Sequence, residues 1–176
     1  MFWGEKYPST GDPADTVNGL LHNAATVGGL TPLEHYPLEG WLEVLQVNLN
    51  ATFLMTRACL PLLKRTGDAS VLFTTDPVAQ RPRAYWGAYA VSKAAVEALA
   101  GTLAEELTSV GHVRVNCISP PTLRTALRAA AYPAEDPRTL EGPESVVDAY
   151  VSPILRRYVD RVASELGEAR LMFIQS

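Results

Sequence analysis

The 176-residue sequence predicts an α/β fold: a doubly wound, mainly parallel sheet of three to four strands with flanking helices. Two observations carry this expectation. Short apolar runs, GLLHNA (19–24), ASVLFTT (69–75) and HVRVNCIS (112–119), alternate with long segments of helical periodicity. That alternation calls for crossover connections, hence parallel pairing, and for a sheet covered on both faces.

Each element has its own reason. Residues 1–17 read as an irregular lead-in punctuated by YPSTGDP. GLLHNA is apolar without helical period and reads as a buried strand. A loop, TVGGLTPLEHYP, follows. From Leu38 to Lys64, Trp41, Leu42, Leu45, Leu49, Phe53 and Leu54 recur at helical spacing, and Pro61 should bend or end that helix. ASVLFTT follows the turn TGD and reads as a second strand. The segment 88–110 is rich in alanine and leucine, a strong helix, with Gly111 where a terminating glycine belongs. HVRVNCIS is a third strand with alternating valines. Residues 124–131 read as partly helical among prolines. ESVVDAYVSPILRRYVDRVASELG reads as a helix broken near Pro153, and RLMFIQ as a last strand.

Composition narrows the function. Hydrophobic residues make up 47% of the chain and net charge is −4, values of a globular protein with a real core. Basic residues are scattered, so neither nucleic acid nor an anionic membrane is an expected partner. No apolar run is long enough to span a bilayer, and the first ten residues lack the apolar core of a secretory signal. Cys59 and Cys117 lie in apolar sequence and read as buried, reduced thiols, which makes the cytoplasm the expected location. His22, His35 and His112 lack ligand spacing, so no metal site is expected.

The chemistry-bearing stretch is WGAYAVSK (86–93), in which Tyr89 and Lys93 stand four residues apart on one helix face. A lysine ammonium beside a phenol favours the phenolate, and a tyrosine so tuned can exchange a proton with a substrate oxygen. Three further segments occur in order: HNAA (22–25), VNLNATF (47–53) and SPPTLRT (119–125). Together the four resemble the short-chain dehydrogenases/reductases, over roughly residues 18–150. The resemblance implies a Rossmann-like fold and an NAD(P)-dependent oxidoreductase acting on a small carbonyl or alcohol. It implies catalytic roles for Tyr89, Lys93 and Asn48, the last holding a water of the proton relay. It also implies that Asn23, Lys93, Pro120 and Thr125 border the NAD or NADP cofactor. The helices at 38–64 and 88–110 commonly form a four-helix interface in the family, so a homo-oligomer is expected.

Two features depart from the family pattern. The family's catalytic serine commonly stands thirteen residues before the tyrosine; here that position is Asp76. A carboxylate accepts hydrogen bonds where the serine would donate, and its charge opposes ionisation of Tyr89. A protonated Asp76, or the hydroxyl of Thr74 or Thr75, could take over the donor's task; Asp76 could also be simply a turn residue before Pro77. Secondly, the 18 residues ahead of GLLHNA contain no Gly-x-x-x-Gly-x-Gly to cradle a pyrophosphate. Residues 18–176 therefore read as a single, shortened domain. The edge of the GLLHNA strand should be bare unless the aromatic lead-in (Phe2, Trp3, Tyr7) or a second copy covers it. Pro121, where the family has glycine, stiffens the loop and removes an N–H.

Three functions follow as expectations: an oxidoreductase with impaired or altered activity; a non-catalytic protein that keeps an oligomerising role; and a nicotinamide-independent hydrolase or lyase, on an ester or lactone for instance, using Asp76, Tyr89 and Lys93. The segment 122–145, alanine- and proline-rich, hints at a small or apolar substrate.

Overall fold

The structure, a computed structural model, describes residues 17–146. The lead-in aromatics, the helix expected around Pro153 and the strand RLMFIQ lie outside the described residues.

Three parallel strands form one sheet in the order β1 (Gly19–His22), β2 (Ala69–Thr74), β3 (Val113–Ile118). Leu20 stands beside Val71 and Val71 beside Val115, so like faces align across the sheet. Alternation decides what each face meets. Ala69, Val71 and Phe73 of β2 are fully buried against Leu63, Val96, Ala100, Leu103 and Leu107 from two helices, with Val113 of β3 beside them. The opposite face carries Leu21 and Leu72 and opens into a cavity. β1 was expected to be buried; instead its residues alternate between exposed and half-buried, and Leu21 is 45% exposed. Among the described residues β1 pairs with β2 alone, and an edge strand has no second neighbour to cover it.

The predicted helix at 38–64 is continuous but not uniform. It comprises α1 (Leu38–Leu45), one turn of π-helix (Gln46–Asn50) and α2 (Ala51–Leu63). The wider turn contains Asn48, and single π turns of this kind recur at functional sites. Pro61 lies in the last turn of α2, which stops two residues later, as expected of a residue that cannot donate to the carbonyl four positions back. The second long helix, α3 (Gly87–Leu107), ends three residues earlier than its alanine-rich pattern suggests. Gly111 then takes φ +77°, the left-handed conformation that a glycine adopts freely, and its N–H returns to the Leu107 carbonyl. A short helix, α4 (Ala126–Ala131), lies beyond β3.

The cysteine expectation is half right. Both thiols are free, but Cys117 is exposed and Cys59 only half-buried. Cys117 lies on the same strand face as Val113 and Val115, and that face passes from buried at Val113 to exposed at Cys117. No helix among the described residues is long and apolar enough to cross a membrane, and no cluster of potential metal ligands occurs among them.

Candidate active site

Strand β2 ends at Thr74, and the chain after it turns across the N-terminal half of α3. This places Asp76 beside Tyr89. One Asp76 oxygen accepts the Val78 N–H at 2.9 Å, starting a 3-10 turn at Pro77–Ala79, so Asp76 does cap the turn before Pro77. The carboxylate also lies close enough to Tyr89 for its charge to act on the phenol. Burial first, and then Asp76, push the Tyr89 hydroxyl well above its ordinary value. The expectation that Lys93 would favour the phenolate is therefore overturned. The Lys93 ammonium stands 5.7 Å from the centre of the Tyr89 ring and donates at 2.9 Å to the Thr74 carbonyl. Lys93 is itself only 4% exposed, and burial pulls it down to about 8 despite the opposing charge of Asp76.

The two hydroxyls that could have replaced the serine are engaged elsewhere. Thr74 donates to the Asn23 side-chain oxygen at 3.1 Å, and Thr75 to Glu97 at 2.6 Å. Glu97 lies on α3 one turn beyond Lys93, so this bond fastens the end of β2 to the helix.

Asn48 does not reach the cavity. Its amide oxygen accepts the Thr26 N–H at 2.8 Å, and its amide nitrogen donates to the Thr26 carbonyl and to Ser92, both at 2.9 Å. Ser92 in turn donates to the Tyr89 carbonyl at 2.8 Å. Asn48 thus joins the loop after β1 to α3 directly beneath Tyr89. The Thr52 hydroxyl donates to the Asn48 backbone carbonyl at 2.8 Å. The expected water-holding role finds its side chain already occupied.

Tyr89, Lys93, Asp76, Asn23, Pro120 and Thr125 all line one cavity of about 480 Å³. Its outer wall was not legible in the sequence. Trp86 packs edge-on to Tyr89 and also against Tyr132, with ring centres 5.7 Å apart in both cases. The Tyr132 hydroxyl accepts from Arg83 at 3.0 Å, while the Arg128 guanidinium lies 3.7 Å over the Tyr132 ring and makes two 2.7 Å hydrogen bonds to Glu135. These contacts hold α4 and the chain after it against the start of α3. The segment 122–145 is accordingly more polar on its cavity side than its alanines and prolines suggested. Ser92, at least, was in view: it lies inside YAVSK.

The residues fit the nicotinamide end of a dinucleotide, with an amine, a phenol and the Asn23 amide on one wall. In the loop after β1, Gly28 is required by packing. Gly28 has φ +67°, and a Cβ there would collide with Val44 and lie 2.6 Å from the Tyr36 hydroxyl, so close packing excludes a side chain.

The family model for short chain dehydrogenases matches residues 11–136. The chain belongs to the short-chain dehydrogenase family. Within it, the chain is 44% identical over 135 residues to the uncharacterized oxidoreductase YciK of Escherichia coli K12, covering 77% of this chain and 53% of YciK. A Pseudomonas syringae structure described as a short chain dehydrogenase superposes with a TM-score of 0.76 at 50% identity, over 79% of this chain and 56% of that one. A short chain dehydrogenase structure from Escherichia coli CFT073, complexed with NADPH, gives 0.75 at 42% identity, over 80% and 57%. The chain therefore spans about half the length of the relatives it matches.

Proposed function

We propose that this chain supplies the proton-handling wall of an NAD(P)-dependent oxidoreductase acting on a small alcohol or carbonyl compound. The observation that carries the reading is the convergence of Tyr89, Lys93 and Asp76 on one cavity whose rim includes Asn23, Pro120 and Thr125. A nicotinamide cofactor supplies the hydride chemistry when bound. The NADPH in the Escherichia coli CFT073 relative supports NADP(H) as the form used.

The chain's own residues deal with the oxygen and its proton. Tyr89 presents its hydroxyl at the cavity wall, where it can exchange a proton with a substrate oxygen. Burial, and then the charge of Asp76, favour the protonated form of that hydroxyl. Lys93, fixed by the Thr74 carbonyl, keeps donors free for hydroxyls of a bound ribose. The aromatic wall of Trp86 and Tyr132 excludes water from one side. Asn48 acts on the site by positioning α3 rather than by touching substrate.

The remaining expectations complete the proposal. The working form is a homo-oligomer, because Leu38, Leu42, Phe53, Leu54 and Met55 along α1–α2 and Val91 on α3 stay 47–66% exposed. Free thiols support a cytoplasmic setting.

The test is cofactor consumption. Absorbance of NADPH is followed, as loss with NADPH and small ketones or aldehydes and as gain with NADP+ and small secondary alcohols, for wild type and Tyr89→Phe. We expect turnover that falls at least about 100-fold in Tyr89→Phe. Turnover unaffected by the substitution, or no NADPH binding at millimolar cofactor, contradicts the reading. The presence of Asp76 beside Tyr89 and Lys93 in the cavity favours one second reading, a nicotinamide-independent hydrolase or lyase. Cofactor-free release of acid from an ester or lactone, lost in Asp76→Asn, would identify it.

A further inference from the structure

We propose that the substrate of this cavity carries a carboxylate, and that Arg83 is the residue that selects it. This rests on the cavity being the substrate site, as above, and it names the class of alcohol or carbonyl compound taken there: a hydroxy or oxo acid. It follows from a positive charge on the cavity wall that no carboxylate of the protein balances.

Among the described residues, the charged side chains lining the cavity are Asp76, Arg83, Lys93 and Arg128. Two of these cations have an anion at hand. Asp76 lies near enough to Lys93 for its charge to act there, and Glu135 holds Arg128 through two 2.7 Å hydrogen bonds. Arg83 has none. Its side-chain partner among the described residues is the neutral Tyr132 hydroxyl, at 3.0 Å. A guanidinium has about five N–H donors in a rigid fork, so most of those on Arg83 remain for a ligand. The chain as a whole has a net charge of −4, so the positive surplus belongs to the cavity and not to the surface at large.

The surroundings make Arg83 a receptor rather than a loose surface charge. Tyr132, which holds it, is itself gripped by Trp86, with ring centres 5.7 Å apart, and by the Arg128 guanidinium 3.7 Å over its ring. Because the Tyr132 oxygen accepts from Arg83, its own proton points away from the guanidinium, and the two neighbouring cations strengthen that O–H as a donor. A carboxylate can take an Arg83 N–H with one oxygen and the Tyr132 O–H with the other. The turn that presents Arg83 is unusual too. The Trp86 N–H returns to the Arg83 carbonyl at 3.3 Å, and between them Tyr85 has φ +73°, a left-handed conformation that a bulky side chain rarely adopts. Trp86 packs against both Tyr89 and Tyr132. A substrate lying along its ring would set the reacting oxygen at Tyr89 and the carboxylate at Arg83. A dianion is a poorer match, because Arg83 is a single unbalanced cation and Asp76 adds negative charge to the same cavity.

The experiment compares 4-oxocyclohexanecarboxylate with 4-oxocyclohexanecarboxamide, two probes of nearly equal shape that differ in charge. Affinities for the full chain are measured by ligand-observed NMR titration without cofactor, at low ionic strength. Arg83→Gln and Arg81→Gln are measured alongside, both checked for native circular dichroism. Arg81 is an exposed neighbour that does not line the cavity, so its substitution makes the same change in net charge away from the site. We expect wild type to favour the acid about fivefold. Arg83→Gln should bring the ratio to parity, and Arg81→Gln should leave it in place. Equal affinities in wild type, a preference for the amide, failure of the acid to bind, a preference that survives Arg83→Gln, or one lost equally in Arg81→Gln would overturn the proposal. An Arg83→Gln variant that binds NADPH more weakly but keeps the preference for the acid assigns the arginine to a cofactor phosphate, and also overturns it. Because no turnover is read, a chain that prefers the acid yet consumes no NADPH sustains this inference while contradicting the oxidoreductase reading. One that reduces both probes but binds them equally does the reverse.

Discussion

At the residue scale, the site is a contest between burial and charge over three groups. Lys93 shows it best, because its shift acts on stability. Its folded value is about 8 and its ordinary value 10.5. Between those limits the unfolded chain binds more protons than the folded one, so stability rises with pH across that window. The cost of burying the ammonium is fully present below about 8 and is relieved by 10.5. Comparing wild type with Lys93→Met by urea unfolding, the difference should move in favour of wild type by about 2–3 kcal/mol across the window. A difference independent of pH would show that Lys93 keeps its ordinary value in the fold. The sequence made the membership of this cluster legible, since Tyr89 and Lys93 are one helical turn apart and Asp76 follows by counting back thirteen residues. It misjudged the balance, because spacing shows a neighbouring charge but burial is a property of the folded chain. Tyr89 is 4% exposed, and desolvation outweighs what the lysine's proximity suggested.

At the element scale, the join between helices decides whether the cluster exists. The π turn at Gln46–Asn50 sets Asn48 between the Thr26 backbone and Ser92 of α3. Its side chain makes three hydrogen bonds in a fully enclosed place. Asn48→Ala should cost about 3 kcal/mol by urea unfolding, mostly through the Thr26 groups left unpaired. Asn48→Asp should cost more. It keeps an acceptor for the Thr26 N–H but sets a second acceptor, and a buried charge, against the Thr26 carbonyl. If Asp were the milder change, the orientation of the amide described here would be wrong. Strands and helices were readable because β-branched runs and apolar spacing are local. The π turn was not, since nothing in QVNLN departs from helical periodicity. Nor was the Arg83–Tyr132–Trp86 wall, whose partners are up to 49 positions apart and meet only after α3 and β3 are laid side by side. Calling β1 buried failed for a similar reason: an apolar run does not say whether its strand has one neighbour or two.

At the scale of the whole molecule, the sheet brings the ends of β1, β2 and β3 to one place, and the cavity collects residues from Leu21 to Val146 there. The exposed apolar residues of α1–α2 lie on helices whose inner sides are already packed. Leu54→Glu should shift the chain toward a smaller species by analytical ultracentrifugation while leaving its circular dichroism unchanged. A wild type that sediments as a monomer contradicts the oligomer proposal. The central claim is that folding couples Asp76 to Tyr89 and keeps that phenol protonated. Ultraviolet difference titration of wild type against Tyr89→Phe isolates this one tyrosine among seven. Tyr89 should stay un-ionised through its ordinary value of 10, and Asp76→Asn should lower its titration without fully restoring it, because burial persists. A Tyr89 that ionises near 10 in both proteins would contradict the account.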